Sequence, residues 1–274
     1  MARTIIDTWD PDYLKRSPIF DSIRAVCSPF LTLNTWPALE QLSVEFKRKN
    51  IESHNGVPIH PVGQGGRPES FEDCYESRIY IKGELQTRLE NWHDFFNAMC
   101  WFQFPRIKSA LNALHYESSR ARRHGTNRGP LENAITLFDE CGAIIVSDDH
   151  SMLDLIRNHQ WKDLFLDNQG AFGKHVQCYV FGHAMFEKAV TPYVGMTAHS
   201  VLLEQAPGFF QSDYSAQVAL IDQLVADCWL NKAIVTTKDL HPFPLLGIPG
   251  WWKENQDEGF YGNSEYFRGK SSLI

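Results

Sequence analysis

Three separated stretches of the chain carry residue types suited to chemistry. On a helix predicted to start at Pro105, the residues Lys108, Asn112, His115, Ser119 and Arg122 recur at alternating spacings of four and three. At 100° per residue they form a polar stripe along one flank of the apolar stripe Ile107, Ala110, Leu111 and Leu114. Asp139-Glu140 ends an apolar run, and His183 and Glu187 stand four apart after another. Two imidazoles and three carboxylates suit a divalent ion such as zinc, manganese or iron. His115, Asp139 and His183 are the candidate ligands, and a divalent metal is the cofactor they imply. Such an ion takes the pKa of bound water from about 15.7 to about 7. Glu140 or Glu187 would then act as general base, and Lys108 would steady an anionic transition state. Arg120, Arg122 and Arg123, with Asn112, are candidate contacts to a phosphate or another anionic group of a ligand.

Each feature also has a plain explanation. Polar stripes on helices are routine, and a His/Glu pair at spacing four is a common helix contact worth a few tenths of a kcal/mol. Asp139-Glu140-Cys141-Gly142 reads as a hairpin turn with Gly142 at positive φ. Arginines at a helix C-terminus match the dipole. There is no His-Glu-x-x-His or Gly-x-Ser-x-Gly, and Cys141 in an acidic neighbourhood is a poor thiolate. Two functions follow from the residues, neither of them fixed by sequence. One is a metal-dependent hydrolase acting on a phosphate-bearing or other anionic substrate. The other is a non-enzymatic binding or scaffold protein whose polar groups form a structural network.

These residues need elements to hold them. Helical patterns cover the first fifty residues, with Ser17-Pro18 and Thr35-Trp36-Pro37 as starts. Residues 53–73 are rich in Gly and Pro, and Gly63 to Pro68 reads as a solvated loop. Strands are expected near 75–82, 135–139, 143–147 and 176–181. Helices are expected over 89–102, 105–123, 151–165 (Ser151 and Asp154 at capping-box spacing) and 212–231, and 196–203 fits either state. From Asp239 a run of Pro, Gly and aromatic residues cannot form a regular helix. It reads as an extended arm whose rings each bury on the order of 150–250 Å2. The expected fold is α+β, a predominantly helical globular domain with a small, mostly antiparallel sheet. Its divisions are a helical region at 1–52, the main body at 53–238 and the arm at 239–274.

Four blocks form an ordered series. They are Phe96-Asn97-Ala98 with Trp101, Phe104-Pro105, Lys108, Leu111-Asn112 and His115; Thr136 to Glu140 with Gly142; Phe181-Gly182-His183-Ala184 with Glu187; and Pro242 to Trp251 with Asn255, Phe260-Tyr261 and Phe267-Arg268. Over roughly residues 74 to 268 the chain resembles an uncharacterised bacterial family known as a domain of unknown function. That resemblance implies a bacterial source, and no activity or catalytic residue comes with it.

Composition narrows the remaining classes. The 274 residues carry 26 Lys and Arg against 33 Asp and Glu, a formal charge of -7, so general nucleic-acid binding is not expected. No apolar run approaches the roughly 18 residues of a membrane helix. The amino terminus does not read as a secretory signal, and the six cysteines show no Cys-x-x-Cys pair. A cytoplasmic protein with reduced thiols is the expectation.

Overall fold

The computed structural model describes residues 8–122 and 127–270. The helices are α1 (Arg24–Cys27), α2 (Leu39–Arg48), α3 (Tyr75–Lys82), α4 (Trp92–Gln103), α5 (Pro105–Ala121), α6 (Pro130–Cys141), α7 (His150–Arg157), α8 (His183–Ala189) and α9 (Tyr214–Leu230). The strands are β1 (His60–Gly63), β2 (Glu84–Thr87), β3 (Gly142–Ser147), β4 (Val176–Val180), β5 (Thr197–Glu204) and β6 (His241–Pro244). The fold is α+β and mostly helical, as its patterning implies.

The central sheet has the order β4-β3-β5-β6. β3 pairs antiparallel with β4 and parallel with β5, and β6 closes the edge antiparallel to β5. Every residue of β3 is buried, so both faces of the sheet are covered. Its side chains alternate accordingly. Ala143 and Ile145 join a core with α4, α8 and the C-terminal arm. Ile144 and Val146 join a second core with α5, α6 and α9. The arm begins as β6 and then packs Leu245, Leu246, Tyr261, Tyr266 and Phe267 into the first core. β1 and β2 form a separate parallel pair. No helix among the described residues is long and apolar enough to cross a membrane.

Two expected strands are helices. Residues 75–82 alternate like a strand, yet they form α3, which stops at Gly83 in the left-handed region with φ 69°. Gly83 is the C-terminal helix stop that takes precedence over the alternation; a Cβ there would sit 2.1 Å from the Pro58 carbonyl oxygen. Residues 135–139 lie within α6. Pro130 at its first position and the Glu132 carboxylate on the Gly129 N–H (2.9 Å) start that helix. Glu140-Cys141-Gly142 is therefore a helix-to-strand junction and no hairpin turn. Gly142 has an ordinary φ of -75°; it is needed because a Cβ would meet the Phe138 carbonyl oxygen at 2.3 Å. The helix expected over 151–165 is also shorter. Asp149, not Ser151, caps it through the Ser151 N–H, and it ends before His159 at φ 55°.

α5 is anchored at its start by a neighbouring helix. Asp222 of α9 accepts the N–H groups of Arg106 (3.0 Å) and Ile107 (2.9 Å), which satisfies donors a helix N-terminus leaves open. Burial raises the Asp222 carboxyl from 3.8 to about 6, and the two backbone bonds only partly offset it. The folded value lies above the unfolded one. The stability linked to the protonated group is therefore complete below 3.8 and lost as pH rises through about 6. Urea denaturation across pH 4 to 7 should show the wild type losing up to about 3 kcal/mol relative to Asp222→Asn. A pH-independent difference would contradict this.

Candidate functional site

The site forms where β3 begins and β4 ends. Their antiparallel register sets Ala143 opposite Val180. Beyond it, the N–H groups of Phe181 and Gly182 both donate to the Gly142 carbonyl, at 3.0 and 2.8 Å. This brings the last turn of α6 against the first turn of α8. A Cβ on Gly182 would lie 2.4 Å from the Gly142 nitrogen and 2.5 Å from the Glu140 carbonyl oxygen. Only glycine permits this approach, which carries Asp139 and Glu140 to His183.

His183 is 4% exposed. Its Nε2 lies 3.0 Å from Nε2 of His93 on α4 and 3.5 Å from Oε2 of Glu140. His93 Nε2 is 4.0 Å from the same Glu140 oxygen. The point equidistant from these three atoms is about 2.1 Å from each, within the range of zinc bonds to nitrogen and oxygen. On their far sides, His93 Nδ1 meets Glu187 Oε2 at 2.8 Å and His183 Nδ1 faces Asp139 Oδ2 at 3.7 Å. The Glu187 carboxylate behind His93 fixes that ring and favours a free Nε2 lone pair, whereas at 3.7 Å Asp139 makes no hydrogen bond to His183. Burial takes His183 down to about 3, so it is neutral near pH 7. The Glu187 hydrogen bond raises His93, and burial raises the Glu140 carboxyl.

Behind this group lies a buried polar chain. Lys108 Nζ donates to Asp139 Oδ1 at 2.5 Å and to Asn97 Oδ1 at 2.8 Å. The Asn97 amide in turn donates to the Tyr75 hydroxyl at 2.7 Å. Burial by itself would raise the Asp139 carboxyl, but chiefly the Lys108 ammonium holds it below the usual carboxylate range.

The polar stripe of α5 lines one wall of a cleft of about 650 Å3 that ends on His93, Glu140 and His183. From Lys108 to Ser119 it follows α5 for about 16 Å at 1.5 Å per residue. Of the residues singled out by sequence, Lys108, Asp139, Glu140, His183 and Glu187 meet at one end. Asn112 lies further along, its amide N–H group donating to the Glu76 carbonyl (3.0 Å) and carboxylate (2.6 Å). His115 lines the cleft but stands outside the ligand triangle, beside Ser119 (3.2 Å), which donates to the buried Glu132 carboxylate. Arg122 pairs with Glu132 at 3.1 Å. Arg120 is exposed and Arg123 lies outside the described residues.

His93 escaped the sequence reading. The signal is the spacing of His93, Asn97 and Trp101, three residues with hydrogen-bonding groups four apart in an otherwise greasy helix, and all three line the cleft. With Lys108 5% and Asp139 24% exposed at the side chain, removing one partner strands the other's charge. Lys108→Met should cost about 3–5 kcal/mol in urea denaturation, and Lys108→Met with Asp139→Asn should recover most of that loss. Equal loss in single and double variants would show that the charge pair is not the cause.

The chain matches no curated protein and no solved structure. Residues 59–271 match the family described as a protein of unknown function (DUF3025), most of the chain, extending the resemblance seen over roughly 74 to 268. The chain belongs to the DUF3025 family.

Proposed function

We propose that His93, Glu140 and His183 hold one divalent metal ion and that the cleft ending on them is the active site of a hydrolase for anionic substrates. The observation that carries this reading is the triangle of ligand atoms whose centre is one bond length from each. Zinc is the ion the donor set suits best, two imidazoles and one carboxylate with room left for water being a catalytic zinc pattern. His115 and Asp139, expected as ligands, take other parts in this reading. Asp139 backs His183 and neutralises Lys108. Glu187 orients His93, and Glu140 is a ligand.

The electrostatics support an anionic substrate. Lys108 and Asp139 cancel, the imidazoles are neutral when ligating, and Glu140 with Glu187 offsets a divalent ion, so the positive charge is confined to the ion itself. That charge would draw in an anion and lower the pKa of bound water to about 7. Lys108 stays behind the group, its ammonium taken up by Asp139 and Asn97.

A second reading has its own support. The raised affinity of His93 for a proton allows an imidazolium that donates to Glu187 and to His183 without any metal. The group would then be a hydrogen-bond network of a non-enzymatic protein. Calorimetric titration of the EDTA-treated, dialysed protein with zinc separates the two. The metal reading expects one ion per chain, binding weakened 10- to 100-fold in Glu187→Gln and abolished in His183→Ala, with a melting temperature close to wild type when metal is absent. The network reading expects no zinc uptake and a His183→Ala variant destabilised by a few kcal/mol.

A further inference from the structure

Further along the cleft, two buried polar atoms have no hydrogen-bond partner among the described residues. They are Nε1 of Trp101 and Oδ1 of Asn112. Trp101 is 1% and Asn112 4% exposed, and both line the cleft. The Asn112 amide cannot be turned to remove the deficit. Its nitrogen already serves two acceptors of Glu76, so the oxygen must be the atom left over. Leaving a buried donor or acceptor unpaired costs stability. The indole can only donate and the Asn112 oxygen can only accept. The complement of one donor and one acceptor is a group offering a carbonyl oxygen and an N–H, which is an amide. Ile79 and Leu111 supply apolar wall beside them.

The same cleft continues past Ser119 to Arg128. From Asn112 to Ser119 α5 rises about 10 Å. The Arg128 guanidinium reaches the Thr136 hydroxyl at 3.3 Å, and among the described residues no carboxylate pairs with it. An unpaired cation at the mouth of a cleft in an acidic protein is a contact for an anion.

We infer that the cleft binds a small molecule bearing an amide group, held by Trp101 and Asn112, and an anionic group further along the cleft, held by Arg128. Two sources present this chemistry. One is a short acylated peptide ending in a carboxylate, and the other is the lactam edge of a nucleobase carrying a phosphate. That this ligand is the substrate rests on the hydrolytic reading above; that it binds does not, since neither polar contact involves the metal ligands.

The test is calorimetric titration of the full chain in EDTA, and of His183→Ala, with an N-acetylated tripeptide ending in glutamate and with uridine 5′-monophosphate. One of the two should bind one per chain in both preparations, which names the source. Its Kd should rise about five- to tenfold in Trp101→Phe, which keeps an aromatic ring, though a smaller one, and removes the N–H, and tenfold or more in Arg128→Ala. Arg128 is exposed, so that variant decides the matter even where Trp101→Phe fails to fold. Binding of neither probe overturns the inference, as does binding that Arg128→Ala leaves unchanged. Zinc uptake without probe binding would overturn it while leaving the hydrolytic reading intact. Probe binding without zinc uptake would do the reverse.

Discussion

The contact on which the site depends is between backbones. Where β4 runs into α8, Gly182 lies so close to the α6–β3 junction that its missing side chain is the space the Glu140 carbonyl occupies. Two helix ends, one leaving the sheet and one entering it, are thereby locked by the hydrogen bonds of Phe181 and Gly182 to a single carbonyl of Gly142. Everything polar nearby inherits its position from this junction. Asp139 and Glu140 ride the last turn of α6, and His183 and Glu187 ride the first turns of α8. α4, packed on α8, delivers His93 between them. A scaffold of fully buried strand and tightly packed helix can hold ligand atoms to tenths of an ångström in a way a surface loop cannot.

A charged group at such a place must be balanced locally. Asp139 is mostly buried, and burial alone would raise its carboxyl. Lys108, itself buried, keeps it ionised, and Asn97 and Tyr75 extend the balance to α3. Lys108 reaches Asp139 because α5 starts directly after α4, with Phe104 as the only residue between them. The Asp222 cap then fixes that start from the opposite helix. The polar chain ties α3, α4, α5 and α6 into one wall, so the ion pair sets the shape of the cleft as well as its charge.

Much of this was legible in the residues. The polar stripe of α5, the strand-to-helix entry at Gly182-His183, the buried β4 and the aromatic arm all follow from periodicity and turn chemistry. What failed did so for identifiable reasons. Residues 75–82 and 135–139 show short alternation, and over so few residues a helix and a strand present similar patterns. The deciding signals lay outside each window, at Gly83 and Pro130. His93 was invisible because it sits among apolar residues with no motif, and its role exists only through Glu187 and His183, about ninety residues away. His115 was the converse. It has the right type on the right stripe, but its helix carries it about two turns past Lys108, where Ser119 engages it. Residue type and local period identify a face; which faces meet is a property of the sheet register.

The distribution of unmet hydrogen-bonding capacity is what favours this cleft as the place of the proposed ligand. Six buried side-chain polar atoms lack a partner among the described residues, and two of them, on Trp101 and Asn112, belong to residues of this cleft, while that of His183 is Nδ1, on the side facing Asp139. Two others, on Tyr13 and Trp229, belong to residues packed within the cores, where a lone hydroxyl or indole is the side effect of using a large ring as filler. Folding selects against such deficits because each costs stability. Two on the adjacent helices α4 and α5, near a buried ion pair and two facing imidazoles, are costs the fold bears together. A scaffold protein could have filled the same volume with leucine and gained stability. The groups left open on Trp101 and Asn112 are the ones the proposed ligand would complete.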